Sequence, residues 1–208
     1  VGVLNESGKQ NFEALHVEAA RTVADFAARA GIARLAHISA IGADSKGARY
    51  ARSKHRGERA VLEKLPSATI LRPSIIFGPE DNFFNRFANM AKFAPALPLI
   101  GGGKTRFQPV FVGDVADAIV AALDRPHARG RTYELGGPQA YSFKQLLHFV
   151  TRETSRPAPL LDLPFVFAYP LGLLLEWGFK LVPFAAPPLT GDQVAMLRRD
   201  NVVGAGAS

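Results

Sequence analysis

Tyr50 and Lys54 stand four residues apart at the start of a segment that reads as a helix, so their side chains lie on one face, one turn apart. A phenol ordinarily titrates near about 10, and a neighbouring ammonium favours the phenolate, which draws that value toward one usable in proton transfer. Ser39, at the end of the preceding strand, is placed to donate a hydrogen bond to a substrate carbonyl or hydroxyl beside the same phenol. Ser39, Tyr50 and Lys54 therefore form a candidate catalytic set of polariser, acid/base and tuner. A tyrosine near a lysine is also often a half-buried anchor and nothing more, so the order of the surrounding elements has to decide between the two readings.

Those elements alternate. Residues 1–4 read as the exit of a buried strand, and Phe12, Leu15, His16, Ala19, Ala20, Val23, Phe26 and Ala27 recur at helical spacing until Gly31 stops them. Strands are predicted over 34–39, 68–71, 106–112 and 132–135. Helices are predicted over 50–65, 82–93 and from an Asp114 cap to Leu123. In FGPEDN, Glu80 and Asp81 are adjacent carboxylates in a turn, which suits a helix start at Asn82 better than acid/base work. Strand and helix in alternation require crossover connections, hence a mostly parallel sheet with helices on both faces. From Ser142 the pattern turns helical. SFKQ and TGDQ each place a hydroxyl at an N-cap with glutamine three residues on. The expected fold is α/β: the C-terminal portion of a Rossmann-like doubly wound parallel sheet over 1–140, a small mainly helical subdomain over 141–203, and a tail over 204–208.

Composition narrows the chemistry. The 208 residues contain no cysteine, which excludes disulfides, thiolate metal sites and a cysteine nucleophile. His16, His37, His55, His127 and His148 show no metal-ligand spacing and read as core or surface residues. No metal is expected. The net charge is +7, and +4 of it falls between Arg49 and Lys64, a segment with one aromatic and no zinc or helix-turn-helix signature, so no nucleic acid is expected as partner. Between Leu163 and Leu189 the only charges are Glu176 and Lys180, at helical spacing. The uncharged run of residues 163–175 is too short for the ~20 residues a membrane-spanning helix needs. It suits either a small-domain core or an interfacial element with Trp177, Tyr169 and several phenylalanines at headgroup level.

With a strand-end serine, Tyr-x-x-x-Lys and LRPSIIFGP in that order, the chain resembles the extended and atypical short-chain dehydrogenase/reductase superfamily. That resemblance implies an NAD(P)-binding domain over 1–140. It implies that Lys54 holds the nicotinamide ribose, that Tyr50 also binds the cofactor, that Pro73 and Ile76 contact the nicotinamide through their backbone, and that Gly2 lets the backbone approach the cofactor, NADP(H) or NAD(H). More narrowly, residues from Leu71 through VFVGDVADAI resemble the NAD(P)H-binding accessory subunit of respiratory complex I and its bacterial relatives. This implies a structural or assembly role without demonstrated turnover. It also implies complex I subunits and a membrane surface as partners, and a peripheral place on the cytoplasmic face of a bacterial inner membrane or the matrix side of the mitochondrial one. The alternative is an active NAD(P)-dependent oxidoreductase or epimerase/dehydratase in which Tyr50 serves as acid/base.

One feature of such proteins has no counterpart. Dinucleotide sites need a glycine-rich turn whose backbone amides take the pyrophosphate, and neither Gly-x-Gly-x-x-Gly nor Gly-x-x-Gly-x-x-Gly occurs among the 19 glycines. GGGKT (Gly101 to Thr105) fails as a P-loop because position 98 is proline. The expectation is that the first strands of the fold precede Val1 in a longer parent, and that this stretch alone binds nucleotide poorly.

Overall fold

The computed structural model describes residues 2–4, 6, 10–44, 46–155, 158–179, 187 and 189–204. Its principal elements begin with a π-helical segment, Glu13–Glu18, that runs into α1 (Ala19–Arg29). There follow β1 (Ala36–Ile38), α2 (Arg49–Lys64), β2 (Thr69–Pro73), α3 (Phe84–Phe93), β3 (Leu97–Ile100), β4 (Arg106–Phe107) and α4 (Val112–Asp124). The chain continues through β5 (Thr132–Leu135), β6 (Tyr141–Ser142), α5 (Phe143–Glu153), β7 (Leu160–Leu163), α6 (Phe165–Phe179) and α7 (Gly191–Met196). Two compact units result: residues 1–74 with 110–136 and 203–208, and residues 75–109 with 137–202.

The first unit is built on a parallel sheet in the order β1-β2-β5, with Ile70 opposite both His37 and Thr132. Ile70 packs with Ala24 and Ala27 of α1, with Val61 of α2 and with Leu65 just after it, so both helices cover one face. Leu71 points the other way by strand alternation, and α4 lies against β1 and β2. Burial on both faces is why TILRP shows no alternation of buried and exposed positions: Thr69, Ile70, Leu71 and Pro73 are buried and Arg72 is half-buried. This is the mixed α/β arrangement with a parallel sheet that the alternating pattern predicts. Gly31 ends α1 as expected. At φ +68° it sits in the left-handed region, and the Ile32 N–H donates to the Ala27 carbonyl while its own N–H donates to Ala28.

Several boundaries differ from expectation. Gly2, Val3 and Leu4 form no strand, and the Val3 N–H donates to a side chain, His16. The predicted strand over 106–112 is cut after Phe107, where Gln108 and Pro109 follow and Pro109 has no N–H for a ladder. α4 starts two residues before Asp114, which therefore lies in the first turn as a carboxylate facing the positive end of the helix dipole and is not the cap. α3 begins at Phe84 and not at Asn82, and Asp81 takes the expected helix-start role, its Oδ1 accepting from the Phe83 and Phe84 N–H groups.

The second unit has its own core. Leu97, Leu99, Phe107, Phe143 and Leu147 meet there, with Phe83 and Phe87 at its edge. β3 pairs in parallel with β7, and β4 antiparallel with β6. The SFKQ box forms as read: the Ser142 Oγ accepts from the Gln145 N–H at 3.2 Å and the Gln145 side chain accepts from the Ser142 N–H at 2.8 Å. In TGDQ the Thr190 hydroxyl accepts from the Gln193 N–H. Gly101 has φ +60° and lies under the Phe165 ring, where a side chain would collide, so part of GGGKT is a packing feature of this unit. α6 contains Pro170, and no helix among the described residues is long and apolar enough to cross a membrane. The expected Glu176–Lys180 pairing involves Lys180, which lies outside the described residues.

Candidate functional site

α2 carries Tyr50, Lys54 and Glu58 at successive turns on the face it turns toward β1 and β2. Lys54 is only 6% exposed, and its Nζ donates to the Ile38 carbonyl at 2.8 Å, at the carboxyl end of β1. One of the three ammonium protons is thus committed to the backbone just before Ser39. Burial lowers the Lys54 pKa to about 8, with Glu58 working in the opposite direction. Glu58 is held in turn by Arg72 of β2 through a two-point contact, Nε to Oε1 at 2.8 Å and Nη2 to Oε2 at 2.6 Å. That hydrogen bonding, together with the Glu58 charge, raises the Arg72 pKa and holds the guanidinium charged against the buried Glu58 side chain.

Ser39 follows β1 and extends its ladder, its N–H donating to the Leu71 carbonyl at 2.7 Å. Its side chain is buried, and the Oγ has no hydrogen-bond partner among the described residues. A buried hydroxyl without a partner costs about 1–3 kcal/mol, a cost a folded protein tolerates where a ligand will satisfy it. Tyr50 sits one turn before Lys54. Its ring meets Phe12 and His16 edge to face, with centroids 6.0 and 5.4 Å away. Here the expected electrostatics fail: burial pushes the Tyr50 phenol up to about 12, because the phenolate would lose its hydration there. At neutral pH Tyr50 is a phenol and a donor.

Pro73 closes β2 and is buried, its carbonyl accepting from the Ile41 N–H at 3.0 Å. Gly2 approaches the same region, since a Cβ built on it would lie 4.0 Å from the Lys54 Nζ and 3.4 Å from the His16 Nε2. Those distances leave room for a methyl, so nothing in the protein's own packing demands glycine there. The structure thus gathers Ser39, Tyr50, Lys54, Pro73 and Gly2 in one unit around the carboxyl ends of parallel strands, where open α/β sheets bind ligands. Ile76 belongs to the second unit.

Three features escaped the sequence reading. His16 is buried between the N-terminal segment and α2, although histidine spacing alone gave it no role. Its i−4 neighbour Phe12 stacks on its ring at 5.2 Å, and that pairing was the available signal. The Arg72–Glu58 pair was invisible because its halves lie on different elements. The basic run in α2 is also largely answered by acids elsewhere in the unit: Arg49 by Glu6, Arg56 by Glu13 and Lys64 by Asp25. No cluster of potential metal ligands occurs among the described residues.

The profile of the NAD dependent epimerase/dehydratase family matches residues 4–136. The Arabidopsis thaliana protein "NADH dehydrogenase [ubiquinone] 1 alpha subcomplex subunit 9, mitochondrial" is 41% identical over 181 residues, covering 83% of this chain and 44% of that protein. The chain spans about half the length of the curated relatives it matches. Among solved structures, that of gox2253 shares 24% identity with a TM-score of 0.67, over 98% of this chain and 68% of its own. The Bacillus cereus UDP-glucuronic acid 4-epimerase, solved with UDP-glucuronic acid and NAD, shares 19% identity with a TM-score of 0.65, over 79% of this chain and 60% of its own. These likenesses show a Rossmann-like fold, and the profile match over more than half its length establishes that the chain belongs to the NAD dependent epimerase/dehydratase family.

Proposed function

We propose that the protein is a nicotinamide-dinucleotide-holding accessory subunit of respiratory complex I, in which the Ser39, Tyr50 and Lys54 constellation serves as a cofactor clamp. The observation that carries this reading is the 41% identity, over 83% of the chain, to a mitochondrial NADH dehydrogenase subunit. The site fits the cofactor on its own terms, because the Ser39 Oγ is buried without a partner, one residue past the carbonyl that the Lys54 ammonium holds. Lys54 and Tyr50 hold the nicotinamide ribose, Pro73 presents backbone to the ring, and Gly2 leaves space for its approach. The nicotinamide, when bound, supplies redox capacity. A phenol pushed up to about 12 suits a fixed hydrogen-bond donor at neutral pH better than a base that must release its proton.

The partners are the neighbouring subunits and the membrane surface. α6 leaves Val166, Phe167, Leu174 and Trp177 each about two-thirds exposed, an apolar and aromatic face suited to an interface or to headgroup level. Its 15 residues extend only about 22 Å, short of the ~30 Å hydrocarbon core, in keeping with peripheral docking. The compartment that follows is the matrix side of the mitochondrial inner membrane or the cytoplasmic face of a bacterial one.

The test uses the full-length protein, affinity-tagged and recovered from detergent-solubilised membranes on a native gel. It should migrate with NADH:ubiquinone oxidoreductase activity and release NADP(H) or NAD(H) on denaturation. Migration free of the complex contradicts the proposal. The partnerless Ser39 hydroxyl also suits a second reading, an active oxidoreductase or epimerase in which Ser39 polarises a substrate oxygen and Tyr50 exchanges its proton. On that reading Tyr50→Phe abolishes turnover; on the first it leaves assembly intact.

A further inference from the structure

We infer that His16 is a positioning residue of the nucleotide site: it fastens the Gly2–Val3 backbone to α2 beside Tyr50 and Lys54. The inference rests on the nucleotide-holding reading and adds a residue to it. The His16 Nε2 accepts the Val3 N–H at 3.1 Å, which requires that nitrogen to be unprotonated. The proton of the neutral ring is then on Nδ1, 2.8 Å from the Ser53 Oγ. Ser53 passes the chain of donors on, its hydroxyl donating to the Tyr50 carbonyl at 2.7 Å. One imidazole thus links an N-terminal backbone amide to the first turn of α2, the turn that carries Tyr50.

The ring is held from the sides as well. Phe12 stacks on it at 5.2 Å with 18° between planes, and the Tyr50 ring meets it at 89°. His16 is 2% exposed, and burial together with the Lys54 charge lowers its pKa to about 4, so the neutral tautomer that this bonding needs prevails at physiological pH. The π-helical turn contributes to the placement, since an i→i+5 segment re-aims the side chains it contains and such turns recur at functional sites. The helices also meet closely here, for a Cβ on Gly57 would run into the His16 carbonyl. No other hydrogen bond to the Val3 N–H is found among the described residues.

The experiment compares His16→Leu, which keeps bulk without polarity, with His16→Gln, which keeps an acceptor and a donor, in the full-length protein. Two quantities are read: amide hydrogen exchange at Val3 against Ile70 and Leu71 of β2, and the dissociation constant for NADPH. In His16→Leu the Val3 amide should exchange at least about tenfold faster while the β2 amides are unchanged, and NADPH should bind about tenfold more weakly, with His16→Gln recovering most of both. Ser53→Ala should weaken binding less, and the double variant with His16→Leu should add little, because the two residues act in one chain. If the wild type binds NADPH and His16→Leu matches it within twofold, or if Val3 exchange does not change, His16 has no positioning role. If the wild type binds no nicotinamide nucleotide, the underlying reading fails instead.

Discussion

At the scale of single residues, the site is governed by burial more than by mutual attraction. His16 and His37 are both lowered to about 4, chiefly by desolvation, and Lys54 to about 8 by the same cause, while Tyr50 is raised to about 12. The signs follow from linkage. A histidine depressed on folding binds its proton more tightly in the unfolded chain, so its contribution to stability is complete above pH 6.5 and is lost as pH falls toward 4. Urea midpoints should therefore drop between those values, and the His16→Gln, His37→Gln double variant should show a shallower slope; an identical slope contradicts the burial argument. At the alkaline end, the depressed Lys54 makes folding more favourable as pH rises from 8 to 10.5, whereas Tyr50 costs stability from 10 to 12. In a spectroscopic titration one of the four tyrosines should ionise near 12, and that step should vanish in Tyr50→Phe. The sequence showed which residues would meet here, through the four-residue spacing and the strand-end serine. It could not show the direction of the phenol's shift, which depends on how much water Phe12 and His16 exclude, a property of elements nearly forty residues apart in the chain.

At the scale of elements, the approach of α2 to the π-helical segment is the contact that sets the site. Gly57 has no room for a side chain against the His16 carbonyl, so Gly57→Ala must push the helices apart, and we expect a loss of about 1–3 kcal/mol in chemical denaturation. A neutral or stabilising Gly57→Ala would contradict that packing. The Arg72–Glu58 pair ties the same helix to β2. Glu58→Gln leaves the guanidinium without its two-point partner in a largely buried place, and the expected loss is about 3–5 kcal/mol by calorimetry or denaturant. Capping was legible in detail, because SFKQ encodes both halves of its hydrogen bonding within four residues. Ser142→Ala should cost about 1 kcal/mol, all of it from α5. Boundaries were less legible. The start of α4 at Val112 and the break of the strand after Phe107 depend on backbone pairing that residue types do not announce, and α3 begins at Phe84, two residues past the predicted start.

For the molecule as a whole, the alternation of apolar runs and amphipathic helices made the parallel sheet readable, since crossover connections leave few other arrangements. What the pattern could not show is that residues 75–109 join 137–202 in a separate unit, because that association rests on Phe83, Phe87, Phe107 and Phe143 meeting across long sequence separations. The same limit applies to charge. A basic run read along α2 is positive, yet in three dimensions Glu6, Glu13 and Asp25 answer much of it. The fold and the family thus follow from periodicity and motif together, while the role of the molecule depends on whether the crevice at the carboxyl ends of β1 and β2 holds a nucleotide. The direct measurement is the dissociation constant of NADPH and of NADH for the full-length protein and for Lys54→Met, by calorimetric titration, with circular dichroism confirming that both fold. We predict at least one nucleotide binding the wild type at micromolar concentration or tighter and binding Lys54→Met at least about tenfold more weakly, since an ion-assisted hydrogen bond is worth about 1.5–3 kcal/mol. Equal affinity in the two folded proteins, or no binding by the wild type, would show that Lys54 is a structural lysine and that the crevice is not a cofactor site.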